Sequence, residues 1–599
     1  MVYLIRSPLW GLSCDTLPFY YFTINTIVFM LAQSEITFDS YQYERPDLDQ
    51  FSDEFESLLR SFEAAPSPTA AHEQLGAIND LRNRFNTMYN LCYIRHTVDT
   101  SDAFYEQENA WFDQALPKYE QLNNQFYKIL VHSHHRPYLE ETFGKQLFAL
   151  AETSLPTFDP VILEDLAEEN RLGSRYTKLM AQARIEVDGE VYNMSSIVPL
   201  EGDTDRAVRE RATRAKYAWL ASQREEIEEI FDEMVTVRTR MARKLGYDNY
   251  VALGYARMSR TEYGAAEVEA FRKAIVAHAV PIATQLYERQ RRRLGVETFR
   301  FWDEPAKYRD GNAKPQGEPT WIVEKAEQMY HEMSRETAAF FDFMNARGLL
   351  DLTTKDNKSP GGYCTYISDY RSPFIFSNFN GTSHDIDVLT HEVGHAFQVF
   401  ESRDFKVGEY NFPTYEACEI HSMSMEFFAM PWMHHFFGDQ TAKYEFSHMA
   451  GAVSFLPYGS AIDHFQQTIY EQPDLTPAER NAVWRDIEQT YLPHRNYGDI
   501  AFLADGGFWQ RQGHVFRRPF YYIDYVLAQI CAFQFWLKDR DDHAAAWSDY
   551  HRLCQAGGSK PFLELVDLAG LQSPFDTDTI RTTLAAIREH LEHIDDTAL

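Results

Sequence analysis

The segment THEVGHAFQVF places His391, Glu392 and His395 in the spacing HExxH. On a helix, positions i and i+4 share one face about a turn apart, so both imidazoles can converge on one metal ion while Glu392 projects beside it. A catalytic zinc takes three protein ligands and leaves a position open for water, so another carboxylate or imidazole should follow. The next helical segment, TYEACEIHSMSMEFFAM, offers Glu416, Glu419, His421 and Glu426. Glu419, Ser422 and Glu426 share a helical face, and periodicity alone leaves Glu416, one turn earlier, as a competitor for Glu419. His421 and His384 read as structural histidines outside the metal shell, and Cys364 and Cys418 as small apolar groups.

These residues need elements to position them. From Tyr41 to about Met180 apolar residues recur at three and four, as in Phe51, Phe55, Leu58, Leu59 and Phe62, which predicts a helical array. RIEVDGEVY (184–192) alternates around Asp188-Gly189, the signature of a small hairpin. Helical text resumes after Asp203-Thr204, read as its cap, and runs to about Leu294. The basic run ERQRRR (288–293) reads as a solvated helix surface. Residues 302–319 are rich in Gly, Pro, Asp and Lys, which predicts a long loop.

Residues 361–381, GGYCTYISDYRSPFIFSNFNG, predict two strands joined near Asp369 to Pro373. PFIFSNF is either core or an edge that pairs with an extended peptide. Thr382-Ser383 with Asp385 would cap the HExxH helix, and Val388, Leu389, Val393, Phe397 and Val399 would bury it.

With 599 residues, 44% hydrophobic and 15% aromatic, the chain can bury a large core and is not disordered. A net charge of −32 sets it against phosphate backbones and anionic membranes, so neither nucleic acid nor membrane is expected as a partner. Six scattered cysteines without CxxC suggest no disulfide framework and fit a cytoplasmic setting. Leu17 to Ala32 carries no charge, yet it contains Pro18 and Asn25 and is short for a spanning helix. Residues 1–35 read as an N-terminal extension that could be a signal, an anchor or an upstream stretch before a start at Met30.

HEVGH followed by E-x-x-S-x-x-x-E (Glu419, Ser422, Glu426), with SPFIFSNFNGT before it and EACEIHSMSMEF after it, resembles the thimet-oligopeptidase family of zinc metallopeptidases. It is most similar to the bacterial oligoendopeptidase branch, that of oligoendopeptidase F, from about Ile36 nearly to the C-terminus. The resemblance implies a mainly α, zincin-like fold, with a small β-sheet beside the HExxH helix and a deep helical substrate channel. An N-terminal helical region would span 36–202 and a zinc peptidase region 203–599. It implies one Zn²⁺ per chain held by His391, His395 and Glu419, with Glu392 as general base and Glu426 steadying a ligand histidine.

The family also uses a later His before a Gly- and Tyr-rich segment, matched here by His514 and RRPFYYIDY with Tyr521, Tyr522 and Tyr525. Tyr522 and Tyr525 keep the family's three-residue separation, whereas Arg517-Arg518 replace glycines of the mammalian relatives. Tyrosine and neutral histidine can donate to a developing oxyanion. The implied activity is zinc-dependent hydrolysis of internal bonds in short oligopeptides. The alternatives are an exopeptidase or dipeptidase of the same fold, which would need groups capturing a free terminus, and an inactive peptide-binding protein, against which Glu392 and the complete ligand set stand. Nothing in the sequence fixes an oligomeric state.

Overall fold

The computed structural model describes residues 36–599; the readings of residues 1–35 as signal, anchor or extension lie outside the described residues. Asp47 accepts from the backbone N–H of Asp49 and Gln50, and so starts the helix Leu48–Glu63, which buries Phe51, Phe55, Leu59 and Phe62. Ser67 caps Pro68–Val98 and Asp102 caps Ala103–Val131. Together with the shorter helices Arg136–Phe143 and Gln146–Ser154, they enclose a core around Leu75, Phe85, Phe112, Leu122 and Phe126. Each such side chain gains about 1.5 to 3 kcal/mol from burial.

Two residues from far along the chain, Val407 and Tyr410, belong to that same N-terminal core. The Tyr410 hydroxyl accepts from the Leu147 amide at 2.8 Å, and Asn79 Nδ2 donates to the Lys406 carbonyl at 3.0 Å. Arg82 Nη2 and the Tyr127 hydroxyl each donate to Glu409 Oε1 at 2.7 Å. The segment 406–410 connects the HExxH helix to the next one, so it is nailed to the N-terminal helices.

Strands β1 (Ile185–Val187) and β2 (Glu190–Tyr192) form the expected hairpin, with Asp188 at φ 53° and Gly189 at φ 91°. The following helix, Arg206–Ser222, is capped by Asp205, two residues later than the sequence reading, while Asp203 accepts from the Asp205 amide. Helices continue to Val280–Leu294. ERQRRR is not simply a solvated face: Arg291 and Arg292 stay outside with Glu288, but Arg289 and Arg293 both pair with buried Asp596, and Arg289 also donates to the Leu591 and Ile594 carbonyls. A carboxylate buried by the C-terminal turn needs cations, and these two supply them.

The second sheet runs β3 (Leu350–Thr353), β5 (Ser372–Phe379), β4 (Tyr363–Ile367). β4 and β5 are the two expected strands, antiparallel with Cys364 opposite Ile375. β3, which the sequence did not suggest, joins β5 in parallel. PFIFSNF is therefore the central strand, buried from Ser372 to Ser377, and not an edge; the edge strand beside it is β4, whose Tyr366 carbonyl accepts from Asn90 Nδ2 at 3.1 Å.

The HExxH helix is His384–Ser402, with Leu389, Val393, Phe397 and Val399 fully buried and Val388 partly so. Its start carries no side-chain cap from Thr382 or Ser383; Asp385 reaches back instead and accepts from the Asn380 and Gly381 amides at 2.9 and 2.8 Å. The glutamate helix, Tyr415–Phe428, packs directly on it, and the tyrosine helix, Tyr522–Asp541, packs on the glutamate helix. No described helix is long and apolar enough to cross a membrane, and the five described cysteines are free.

Candidate metal centre

Gly394, inside HEVGH, sets how close the two metal-facing helices come. A Cβ there would sit 2.6 Å from both the His421 carbonyl oxygen and Ser422 Cα, so only glycine lets the backbones meet. That approach brings Glu419 Oε2 to 3.2 Å from His391 Nε2 and 3.3 Å from His395 Nε2. The ligand atoms of His391, His395 and Glu419 all lie within 4.8 Å of one another. Two imidazoles and a carboxylate facing one point are a donor set suited to a zinc-type cation.

Supporting contacts orient each of the three. Glu426 Oε1 accepts from His391 Nδ1 at 2.7 Å, which turns Nε2 toward Glu419. Ser422 Oγ donates to Glu419 Oε2 at 2.7 Å, and the Tyr521 hydroxyl donates to Glu419 Oε1. Behind Glu426, His448 Nε2 lies at 3.3 Å; His448 Nδ1 and the Tyr444 hydroxyl in turn meet Asp387 Oδ1 at 3.1 and 2.7 Å. Sequence reasoning missed His448, Asp387 and Tyr444. Burial pulls the His391 pKa down, but Glu419 and Glu426 outweigh it and hold it well above the usual value. Burial likewise raises Glu419, and His395 and His391 reverse this to well below the carboxylate range.

Glu416, the competitor, points elsewhere. It is buried, burial lifts its pKa to about 7 against the opposing pull of Arg260, and it meets Thr414 and Tyr263, not the histidines. Glu392 lies beside the cluster with a pKa raised by burial, partly offset by His391 and His395. Its Oε2 is buried and has no hydrogen-bond partner among the described residues. On its other side, a Cβ at Gly362, just before β4, would come 2.9 Å from Val388 Cγ1 and 3.1 Å from Glu392 Oε1, so the strand passes close to Glu392 there.

His514 and the tyrosines stand over the same centre. The Tyr458 hydroxyl donates to Gln512 Oε1 at 2.8 Å, which turns Gln512 Nε2 toward His514 Nδ1 at 3.0 Å. His514 Nδ1 then accepts, Nε2 carries the proton, and Nε2 faces the Tyr525 hydroxyl at 3.3 Å. Burial first, then Arg517, pushes the His514 pKa down to about 3, so the ring is neutral. Tyr525 lies 6.3 Å ring to ring from His391. Tyr522 instead packs among Phe455, Tyr458 and Tyr525, so Tyr521 and not Tyr522 reaches Glu419. Gln512 and Tyr458 were not foreseen. A second grouping, Glu327, His331 and Asp342, lies on more exposed surface.

Comparison with known proteins gives this arrangement relatives. Residues 38–158 match the peptidase M3 N-terminal domain and residues 200–583 match peptidase family M3. A solved structure named as an oligoendopeptidase F shares 53% identity, with 94% of this chain and 100% of that one covered and a TM-score of 0.94. PZ peptidase A, solved with an inhibitor, shares 50% identity over 94% and 100% of the two chains at a TM-score of 0.93. A Bacillus anthracis protein, also named as an oligoendopeptidase F, shares 48% over 94% and 99% at 0.89. No curated protein sequence matches the chain. The fold, the His-rich centre and these relatives agree: the chain belongs to peptidase family M3, in the oligoendopeptidase F branch, and is a metallopeptidase.

Proposed function

We propose that this metallopeptidase is a zinc-dependent endopeptidase that hydrolyses internal bonds of short oligopeptides in a helical channel. The observation that carries the reading is the convergence of His391, His395 and Glu419 within 4.8 Å, with Glu392 beside them. His391, His395 and Glu419 would hold one zinc ion, and Glu426 fixes the tautomer of His391. When bound, zinc supplies Lewis acidity that brings the pKa of a water toward about 7. Glu392, desolvated and with a free oxygen, takes the proton of the attacking water and returns it to the departing amine. The negative charge developing on the scissile carbonyl oxygen meets the Tyr525 hydroxyl, whose oxygen accepts from His514 Nε2 and whose proton is thereby aimed outward. Such donors contribute about 3 to 4 kcal/mol each where removed in other enzymes. Tyr522 supports the packing of His514 and Tyr525 in this scheme.

The position of β4 at the sheet edge, with Gly362 just before it near Glu392, supports an extended substrate that adds a strand along its first residues. Internal cleavage is supported by the relatives, two of which are named as oligoendopeptidases. The same reading divides the chain into 36–202 and 203–599 and places it in a reducing, cytoplasmic setting, in keeping with its free cysteines.

Zinc titration of the metal-free protein, with peptide digests read by mass spectrometry, tests the proposal. Wild type is expected to bind one zinc and make internal cuts; Glu419→Ala is expected to lose the metal and Glu416→Ala to keep it. Stepwise trimming from one terminus would return the exopeptidase reading, and a zinc-loaded protein that cuts nothing would return the peptide-binding one.

A further inference from the structure

Acidic residues outnumber Lys and Arg by 89 to 57, and some of the described arginines nevertheless have no carboxylate within ion-pair distance. Arg517 and Arg518 are two such residues, adjacent in sequence and three and four positions beyond His514. Their neighbours Phe516, Pro519 and Phe520 are buried while both arginine side chains are exposed, so the turn drives its hydrophobic residues into the core and two guanidiniums out. Neither guanidinium meets a carboxylate among the described residues.

The contacts of Arg518 lead back toward the candidate metal centre. Arg518 Nη1 donates to the Tyr415 hydroxyl at 2.6 Å and lies 5.5 Å from that ring. Tyr415 packs edge-on against Tyr521 at 4.9 Å, and Tyr521 donates to Glu419. Only two tyrosines therefore separate the Arg518 guanidinium from the metal-facing carboxylate. Tyr89 and Tyr93, on the N-terminal helix Pro68–Val98, lie close enough to feel its charge. Tyr93 in turn touches Tyr363, the first residue of β4, at 5.3 Å. A peptide laid along the β4 edge therefore runs past the tyrosines that surround Arg518. Arg517 lies near Gly173 and Gly513 and contributes, with Arg518, to the depressed basicity of His514. The tyrosines around Arg518 present no competing anion, and its guanidinium is the planar fork that pairs with a carboxylate.

We propose that Arg517 and Arg518 form an anion subsite of the peptide cleft that grips a carboxylate of the substrate, either its free C-terminus or an acidic side chain. This inference rests on the peptidase reading above and names a preference within it.

The test uses the zinc-loaded enzyme and one peptide sequence in three forms: free acid, C-terminal amide, and amide with one internal residue replaced in turn by Glu. For Arg518→Gln, and more so for the double Arg517→Gln/Arg518→Gln variant, kcat/KM is expected to fall about tenfold to a hundredfold on carboxylate-bearing peptides and to stay within about twofold on the uncharged amide. Arg518→Lys should restore part of the loss, and the wild-type preference should weaken with salt. A loss confined to the free acid identifies the C-terminus as the group gripped; a loss confined to the Glu peptides identifies the side chain. Tyr415→Phe, which frees Arg518 without removing its charge, should keep most of the discrimination. An equal loss on all three peptide forms, or no loss on any, overturns the subsite. Failure of wild type to cut even the amide would instead count against the peptidase reading itself.

Discussion

Glu392 is buried with few polar contacts: one carboxylate oxygen faces the close approach of Gly362 and the other has no hydrogen-bond partner among the described residues. Because it does not share the ligand point, Glu392→Gln is expected to retain zinc at one per chain while kcat falls by at least about 10² to 10⁴, the usual worth of a general base. Metal analysis and turnover of the same preparation check this, and activity within about tenfold of wild type would remove Glu392 from the role. Asp385 tests a different property. Burial raises its pKa to about 6, against the pull of the Asn380 and Gly381 amides. Between the ordinary aspartate value of 3.8 and about 6 the folded protein holds a proton that the unfolded chain has released. Stability from this group is thus fully present below the lower value and is lost as pH rises through the upper. Relative to Asp385→Asn, which cannot titrate, wild type is expected to lose about 2 kcal/mol between pH 4 and 7, read from urea midpoints. Parallel curves for the two proteins would contradict it.

At the scale of elements, the contact between the HExxH helix and the glutamate helix is governed by Gly394. Gly394→Ala introduces a methyl where backbone atoms lie 2.6 Å away, and neither helix has a flexible side chain to yield. The expected cost is about 1 to 3 kcal/mol of stability together with weaker zinc binding, because Glu419 is carried away from the histidines as the helices part. Calorimetry and zinc titration of the variant decide it; unchanged metal affinity would mean that the helices do not set the ligand spacing. The two helices, β4 and β5 could be read from the sequence because each has its own local signature: HExxH, E-x-x-S-x-x-x-E, and aromatic, β-branched runs with turns between. His514 and the tyrosines could be placed near the site only through the family resemblance. β3 could not be read, since Leu350–Thr353 is four residues long and pairs in parallel with β5 across an intervening strand. Nor could the chain from Glu426 through His448 to Asp387: each is a single polar residue whose meaning appears only when three helices meet. The arginines of ERQRRR were misread for the same reason, because Asp596 lies some 300 residues farther on.

Across the whole molecule, the described residues form an N-terminal helical core and a larger catalytic core, and the segment 406–410 belongs to the first while joining the two metal-facing helices of the second. Arg82 and Glu409 are its strongest tie, with side chains only 11% and 10% exposed. Arg82→Met leaves Glu409 a buried carboxylate without a cation, still held by the Tyr127 hydroxyl, and is expected to cost about 3 kcal/mol. Its second expected effect is a weaker hold on zinc, measured by competition with a chelator, although no ligand has been touched; an unchanged zinc Kd would show that the connector does not transmit strain. If it does transmit it, thermodynamic reciprocity applies: whatever fraction of zinc affinity is lost when the N-terminal helices loosen is returned as protection of those helices when zinc binds. Metal occupancy would then act as a fold-completeness signal, and proteolysis of the first hundred or so described residues would slow as zinc is added.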